Sequence, residues 1–163
     1  MPLLQQFCET LYQSGFGTML RESNNAFSII ESVHVLAITL LFGTVAVLDL
    51  RMLGVILRQI SVSSVARGVL PLTWSGLAVS VVSGFLLFWA EAEKMYANPS
   101  FRTKLALLAL AGFNALVFHS TIYRSAPEWE SRHVSPWRAR ATAIASLALW
   151  SGVIIAGRAI AYF

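Results

Sequence analysis

Cys8 is the only cysteine in the chain. An intramolecular disulfide, an iron–sulfur cluster and a multi-cysteine zinc site are therefore excluded. No C-x-x-C-H run occurs either, which excludes covalently attached c-type haem. Charge is scarce as well: 12% of residues are charged and 56% are hydrophobic, where a soluble domain carries about 25% charge. Catalytic signatures are missing. There is no glycine-rich phosphate loop, no H-E-x-x-H, and no Ser–His–Asp set with a usable partner, so a hydrolase or kinase is not expected, and an electron-transfer role fits better than substrate turnover. The segment Met1 to Phe7 lacks the basic start of a cleavable signal peptide, so the first apolar run is expected to be retained. The net charge of +4 comes from cations between apolar runs, not from a stripe on a soluble face, and nucleic-acid binding is excluded.

Four long apolar runs are what the chain does have. About 20 apolar residues in a helix cross a hydrocarbon core of about 30 Å. The first candidate span is Ala26 to Leu50, interrupted by Glu31, His34 and Asp49 and preceded by the capping candidates Ser23, Asn24 and Asn25. The second, Val69 to Ala90, has no charge. The third opens at Pro99 behind the cap candidate Asn98, runs to about Tyr123 and contains His119. The fourth opens at Pro136 and carries Arg158 near its end. Upstream, Leu3, Leu4, Phe7, Leu11 and Tyr12 fall at helical spacing. A short helix along the membrane plane and a frayed terminus both fit that pattern. The expected architecture is all-α: an N-terminal interfacial segment over residues 1–24, then a transmembrane four-helix bundle over 25–163.

Small residues recur every fourth position at Gly76, Ser80 and Gly84, at Ala111 and Ala115, and at Gly152 and Ala156. Such stripes let helices approach closely in lipid. They serve the bundle interior or, alternatively, a homo-oligomer. Trp74, Trp89, Trp129 and Trp137 lie near span ends, where an aromatic belt is expected. Arg51, Arg58, Arg67, Arg124, Arg132, Arg138 and Arg140 lie on the side of the first and third linkers, against Arg21, Lys94, Arg102 and Lys104 on the side of the termini. The positive-inside rule then makes the linker side cytoplasmic. The expected location is a bacterial inner membrane with both termini periplasmic.

Each titratable group inside a span needs a partner or a purpose. Glu31 and Arg158 fall at similar depth, Glu31 roughly 8 Å from its helix end, so an ion pair between first and last helix is expected; separate snorkelling is the alternative. Asp49 and Arg51 close the first helix at the inner interface and are read as headgroup-level anchors, with pairing of Asp49 to Arg138 or Arg140 as the alternative. His34 lies one turn beyond Glu31. His119 lies near the opposite face, with an axial offset on the order of 15 Å, too far for both to ligate one iron. His34 and His119 are thus candidate haem or metal ligands of separate sites, with hydrogen-bonded structural histidines as the alternative. Arg158, Arg102 and Lys94 are candidates to hold haem propionates, and Met95 is a candidate second ligand.

The runs Glu31-Ser32-Val33-His34-Val35-Leu36, then Gly43, then Asp49-Leu50-Arg51-Met52-Leu53-Gly54, with Ala97-Asn98-Pro99-Ser100-Phe101-Arg102-Thr103-Lys104-Leu105-Ala106 and Gly157-Arg158-Ala159-Ile160-Ala161-Tyr162-Phe163, resemble a group of small bacterial four-helix membrane proteins of unknown function. More distantly, that group is similar to the membrane domains of copper-resistance D proteins. The resemblance implies the fold and a histidine in the first helix near the periplasmic face, matched here by His34. It assigns no activity. From the residues, the expected function is a small membrane cytochrome binding haem b, passing electrons between a periplasmic partner and a quinone or larger complex. A copper-handling protein and a non-catalytic subunit of a membrane complex are the alternatives.

Overall fold

A computed structural model describes residues 2–124 and 136–162. Among them there is no strand. The helices are α1 (Pro2–Gln13), α2 (Gly15–Glu22), α3 (Asn24–Met52), α4 (Val62–Ala90), α5 (Ala92–Ala97), α6 (Pro99–Val117) and α7 (Trp137–Ala159). A π-helical turn, Phe118–Ile122, extends α6, and a 3-10 turn, Ile160–Tyr162, extends α7. Four of these helical stretches are long and apolar enough to cross a membrane: Asn25–Met52, Val62–Ala90, Pro99–Ile122 and Trp137–Tyr162.

Local chemistry sets the boundaries. The Ser23 hydroxyl accepts from Ala26 N and opens α3. Asn98 accepts from Ser100 N and Phe101 N, and Pro99 occupies the first turn of α6, where its missing N–H costs nothing. At the start of α4 the structure corrects the sequence-based boundary. The helix begins at Val62, not Val69, because Ser61 accepts from Ser64 N and caps it. Val62, Val65 and Ala66 then turn inward and are buried. The intervening Ser63, Ser64, Arg67 and Gly68 had the composition of a loop, yet burial of one apolar face outweighs their weak helix propensity. Pro71 lies within α4.

Two antiparallel pairs make up the bundle, α3 with α4 and α6 with α7, and α3 against α7 joins them. Polar stitches fix the register of each pair. Thr73 Oγ1 donates to Thr44 Oγ1 at 2.9 Å across α3 and α4. Asn114 Nδ2 donates to the Thr142 carbonyl at 3.2 Å, and Asn98 Nδ2 to the Ile160 carbonyl at 3.1 Å, across α6 and the last helix. At Gly76 the α3 backbone comes so close that an added Cβ would stand 3.0 Å from Leu41 N and 3.2 Å from the Ala37 carbonyl. The small-residue stripe of α4 thus serves contact inside the chain. In α6, by contrast, Ala111 is buried but Ala115 is exposed.

The apolar core lies at the loop end of the bundle, opposite the chain termini. Leu48, Met52, Val62, Val65, Ala66, Phe118, Ile122, Ala139 and Ala143 form it, drawn from all four long helices. At the terminal end, α1 and α2 fold back onto α4 and α5. Arg21 holds them there: its guanidinium donates to the carbonyls of Tyr12 at 2.8 Å and Ala90 at 3.0 Å, and stacks 3.7 Å over the Tyr12 ring. Trp89 Nε1 adds a bond to Ser14 Oγ at 2.9 Å. Trp129, Arg132 and His133 lie outside the described residues.

Candidate functional site

Between the stitched ends, the terminal half of the bundle holds a group of polar side chains facing inward. His34 on α3 is half-buried. Its Nδ1 lies 2.9 Å from Ser83 Oγ on α4. Gly84 makes this possible. An added Cβ there would come 2.9 Å from His34 Cε1 and 3.5 Å from Nδ1, so the imidazole lies directly on the α4 backbone.

The hydrogen-bond geometry assigns the imidazole tautomer. Ser83 Oγ is 2.5 Å from the Val79 carbonyl and has a single proton to give. Two oxygens that close repel unless the proton lies between them, so Ser83 donates to Val79. It must then accept from His34, which places the hydrogen on Nδ1. In neutral imidazole the other nitrogen, Nε2, keeps its lone pair. That is the arrangement a metal-binding histidine needs: one nitrogen fixed by an acceptor, the other free to coordinate.

On α6, Lys104 is half-buried. Its side chain runs along Gly157 of α7, where an added Cβ would meet Nζ at 3.7 Å and Cε at 3.8 Å. Ser80 Oγ, one turn before Gly84 on α4, is buried with no hydrogen-bond partner among the described residues. Neither Lys104 nor Ser80 stood out in the sequence. Lys104 looked like one more cation flanking a span, and Ser80 like a packing residue. The signal for Ser80 lies in register: pairing Thr44 with Thr73 antiparallel puts Ser83 opposite His34, with Ser80 one turn away.

The remaining expected site residues lie apart. His119 sits in the π-helical turn at the loop end, a feature closed by the 2.9 Å bond from Tyr123 N to the Phe118 carbonyl. Its ring packs among aromatics, with centroids 5.2 Å from Phe118, 5.9 Å from Tyr123 and 6.4 Å from Trp74. His34 faces Ser83 and His119 faces Trp74, a separation of about 13 Å along α4 at 1.5 Å per residue, and the structure does not bring the two histidines together. Arg102 is exposed and turned back onto α5, donating from Nε to the Tyr96 carbonyl at 3.1 Å with its guanidinium 5.3 Å from the Tyr96 ring. Lys94 is exposed and pairs with Glu91 at 3.7 Å.

The expected Glu31–Arg158 ion pair is not formed. Both residues are exposed, and among the described residues the one salt bridge is Glu91–Lys94. Helical rotation is the cause. The inward positions of α7 include Ser146, Val153 and Ala156, and at 100° per residue Arg158 stands about 200° round the helix from Ala156, about 140° from Val153 and about 120° from Ser146. Asp49 differs from expectation too. It is 4% exposed and faces Ser146 rather than Arg138 or Arg140, leaving Oδ2 without a partner among the described residues.

With the geometry in place, comparison with known proteins adds a family. A model described as a family of unknown function, DUF6644, matches residues 7–163. The chain belongs to the DUF6644 family. The match takes in the second half of α1, all of α2 and the four long helices of this DUF6644 chain. No curated protein and no solved structure matches the chain.

What the arrangement can do follows from its donor set. Among the described residues no three His, Cys, Asp or Glu side chains gather to hold a metal ion. The described residues thus offer a bare ion no cluster of ligands. Haem is different, because its porphyrin supplies four nitrogens and the protein adds one or two axial ligands. A lone histidine with Nε2 free fits that requirement.

Proposed function

We propose that this chain is a small membrane cytochrome of a bacterial inner membrane, holding one b-type haem through His34 Nε2. The observation that carries the proposal is the tautomer of His34: Nδ1–H is committed to Ser83, and the lone pair of Nε2 is left for iron. A structural histidine explains less. Interhelical hydrogen bonds in membrane bundles average about 0.6 kcal/mol, and Thr44–Thr73 already supplies one to this helix pair without burying an imidazole.

Bound haem supplies one-electron redox chemistry. The chain's own part is to fix the ligand. Ser83 holds the ring plane and raises the electron density on Nε2 through the Nδ1–H bond, while Gly84 lets the ring sit against α4. No second histidine lies at that end among the described residues, so the chain offers iron a single strong ligand. The linker side would be cytoplasmic and the termini periplasmic, by the distribution of arginines. His34 then lies in the periplasmic half of the membrane, suited to exchange with a periplasmic redox partner, a quinone, or a subunit of a larger complex. The exposed apolar side chains of α1 and α2, Leu3, Phe7, Phe16 and Met19, suit an interfacial helical hairpin. Copper handling is the weaker alternative, since soft copper sites use thiolates and thioethers and the gathered side chains here offer neither.

The test is a visible spectrum of protein purified in detergent from haem-replete cells. Reduced-minus-oxidised b-type bands are expected in the wild type and in His119→Ala, and are lost in His34→Ala. A colourless wild-type protein that co-purifies with larger subunits would instead make it a structural subunit.

A further inference from the structure

Asp49 is a carboxyl group buried where the two hairpins join, with no cation beside it. It lies in the last turn of α3 and is 4% exposed. Its neighbours along the chain, Leu48 and Met52, belong to the apolar core. α3 packs against α7, from which the buried Ser146 faces Asp49. Oδ2 has no hydrogen-bond partner among the described residues, and no ion pair to Asp49 forms within 4 Å. The described cations at this end are exposed or engaged elsewhere. Arg51 Nε donates to the Ile60 carbonyl, Arg58 Nε to the Gly54 carbonyl, and Arg67 to Ser64 Oγ. On α7, Arg138 is exposed and lies over the Trp137 ring, and Arg140 is exposed. Beyond α6, Arg124 is exposed, and His119 and Tyr123 pack ring against ring. An isolated buried carboxylate is far costlier than its neutral acid, and such a group takes up a proton instead.

We propose that Asp49 is a proton-binding site at the contact between α3 and α7, filled while the two hairpins are docked and emptied when they separate. In the docked bundle the carboxyl is a neutral acid, which turns one of its oxygens from an orphan acceptor into a donor. When α3 leaves α7, water reaches the group. The O–H bond then breaks, the proton passes to water, and a solvated carboxylate remains. Docking and proton uptake are linked in one equilibrium. Acid therefore favours the docked bundle, and alkali favours the separated hairpins. The proposal does not depend on what His34 binds.

The test has two readouts on the full chain in detergent. The first is the infrared carbonyl stretch of a protonated carboxyl group at neutral pH. It is expected in wild type and absent in Asp49→Asn; in Ser146→Ala it is expected to persist at a shifted frequency, which assigns it to Asp49 even where Asp49→Asn does not fold. The second is the unfolding equilibrium against pH. Below about pH 4, where an unfolded aspartate also holds its proton, wild type and Asp49→Asn should respond to pH alike. Above it, the folded-to-unfolded ratio of wild type should fall about tenfold per pH unit relative to the variant, until the folded group also loses its proton. A carboxylate at neutral pH, with no protonated band that responds to either substitution, overturns the proposal. So does a carboxylate band that moves with added sodium, which marks a bound cation. Parallel pH dependence of wild type and Asp49→Asn overturns the link to docking.

Discussion

At His34 the decisive atom is Ser83 Oγ, because the direction of its single proton determines which imidazole nitrogen is free. Removing it tests that point without touching the ligand. Ser83→Ala leaves Nδ1–H without its side-chain acceptor, and outer-shell losses of this kind cost about 10- to 100-fold in affinity. The expected outcome is haem binding weakened by that factor in titration, with the spectrum of a His-ligated b haem retained. Asp49 carries a different expectation. Its carboxyl is buried with Oδ2 unpartnered, so Asp49→Asn, which removes a charge without changing shape, should leave thermal stability in detergent unchanged or raised, and haem content unaltered. His34 was visible in the sequence because an imidazole in an apolar run is conspicuous. Its partner was not, since nothing in the local sequence distinguishes Ser83 from the other serines of α4. Lys104 was hidden for the opposite reason: near a helix start a lysine looks like a headgroup anchor, and only the packing of α6 on α7 turns it inward.

Among the elements, the four long helices and their caps at Ser23 and Asn98 followed from hydrophobic length and capping chemistry. Errors fell where facing mattered. Depth alone paired Glu31 with Arg158, but depth does not specify rotation about the helix axis, and both side chains turn outward. The first two turns of α4 read as loop because their buried residues, Val62, Val65 and Ala66, alternate with serine, arginine and glycine. The α3–α4 contact is the element most sensitive to substitution. At Gly76 a methyl group meets backbone atoms of Leu41 and Ala37 at 3.0–3.2 Å, and backbone cannot yield as a flexible side chain can. Gly76→Ala should destabilise the bundle by about 1–3 kcal/mol, as overpacking does, seen as a lowered unfolding midpoint in mixed micelles. Gly84→Ala acts on function instead. Its methyl group displaces the His34 ring, so haem loss should exceed the loss of stability, whereas Gly76→Ala should show the reverse.

For the whole molecule, the exposed apolar surface of the four long helices calls for lipid around it. The chain should stay with the membrane pellet through alkaline carbonate extraction, and a periplasm-active reporter fused at the C-terminus should be active while one inserted at Arg58 should not. The all-α architecture with four long apolar helices was legible because hydrophobic length is read directly from composition. Assembly of the site was not, because it depends on how two hairpins, α3–α4 and α6–α7, rotate against each other. The most direct measurement is the haem content of wild type and His34→Ala, purified side by side from haem-replete cells and quantified as the pyridine complex. Equimolar haem in the wild type, with none in an equally folded His34→Ala, is the expected result. Equal haem in both, or none in either, would contradict a cytochrome built on this one histidine.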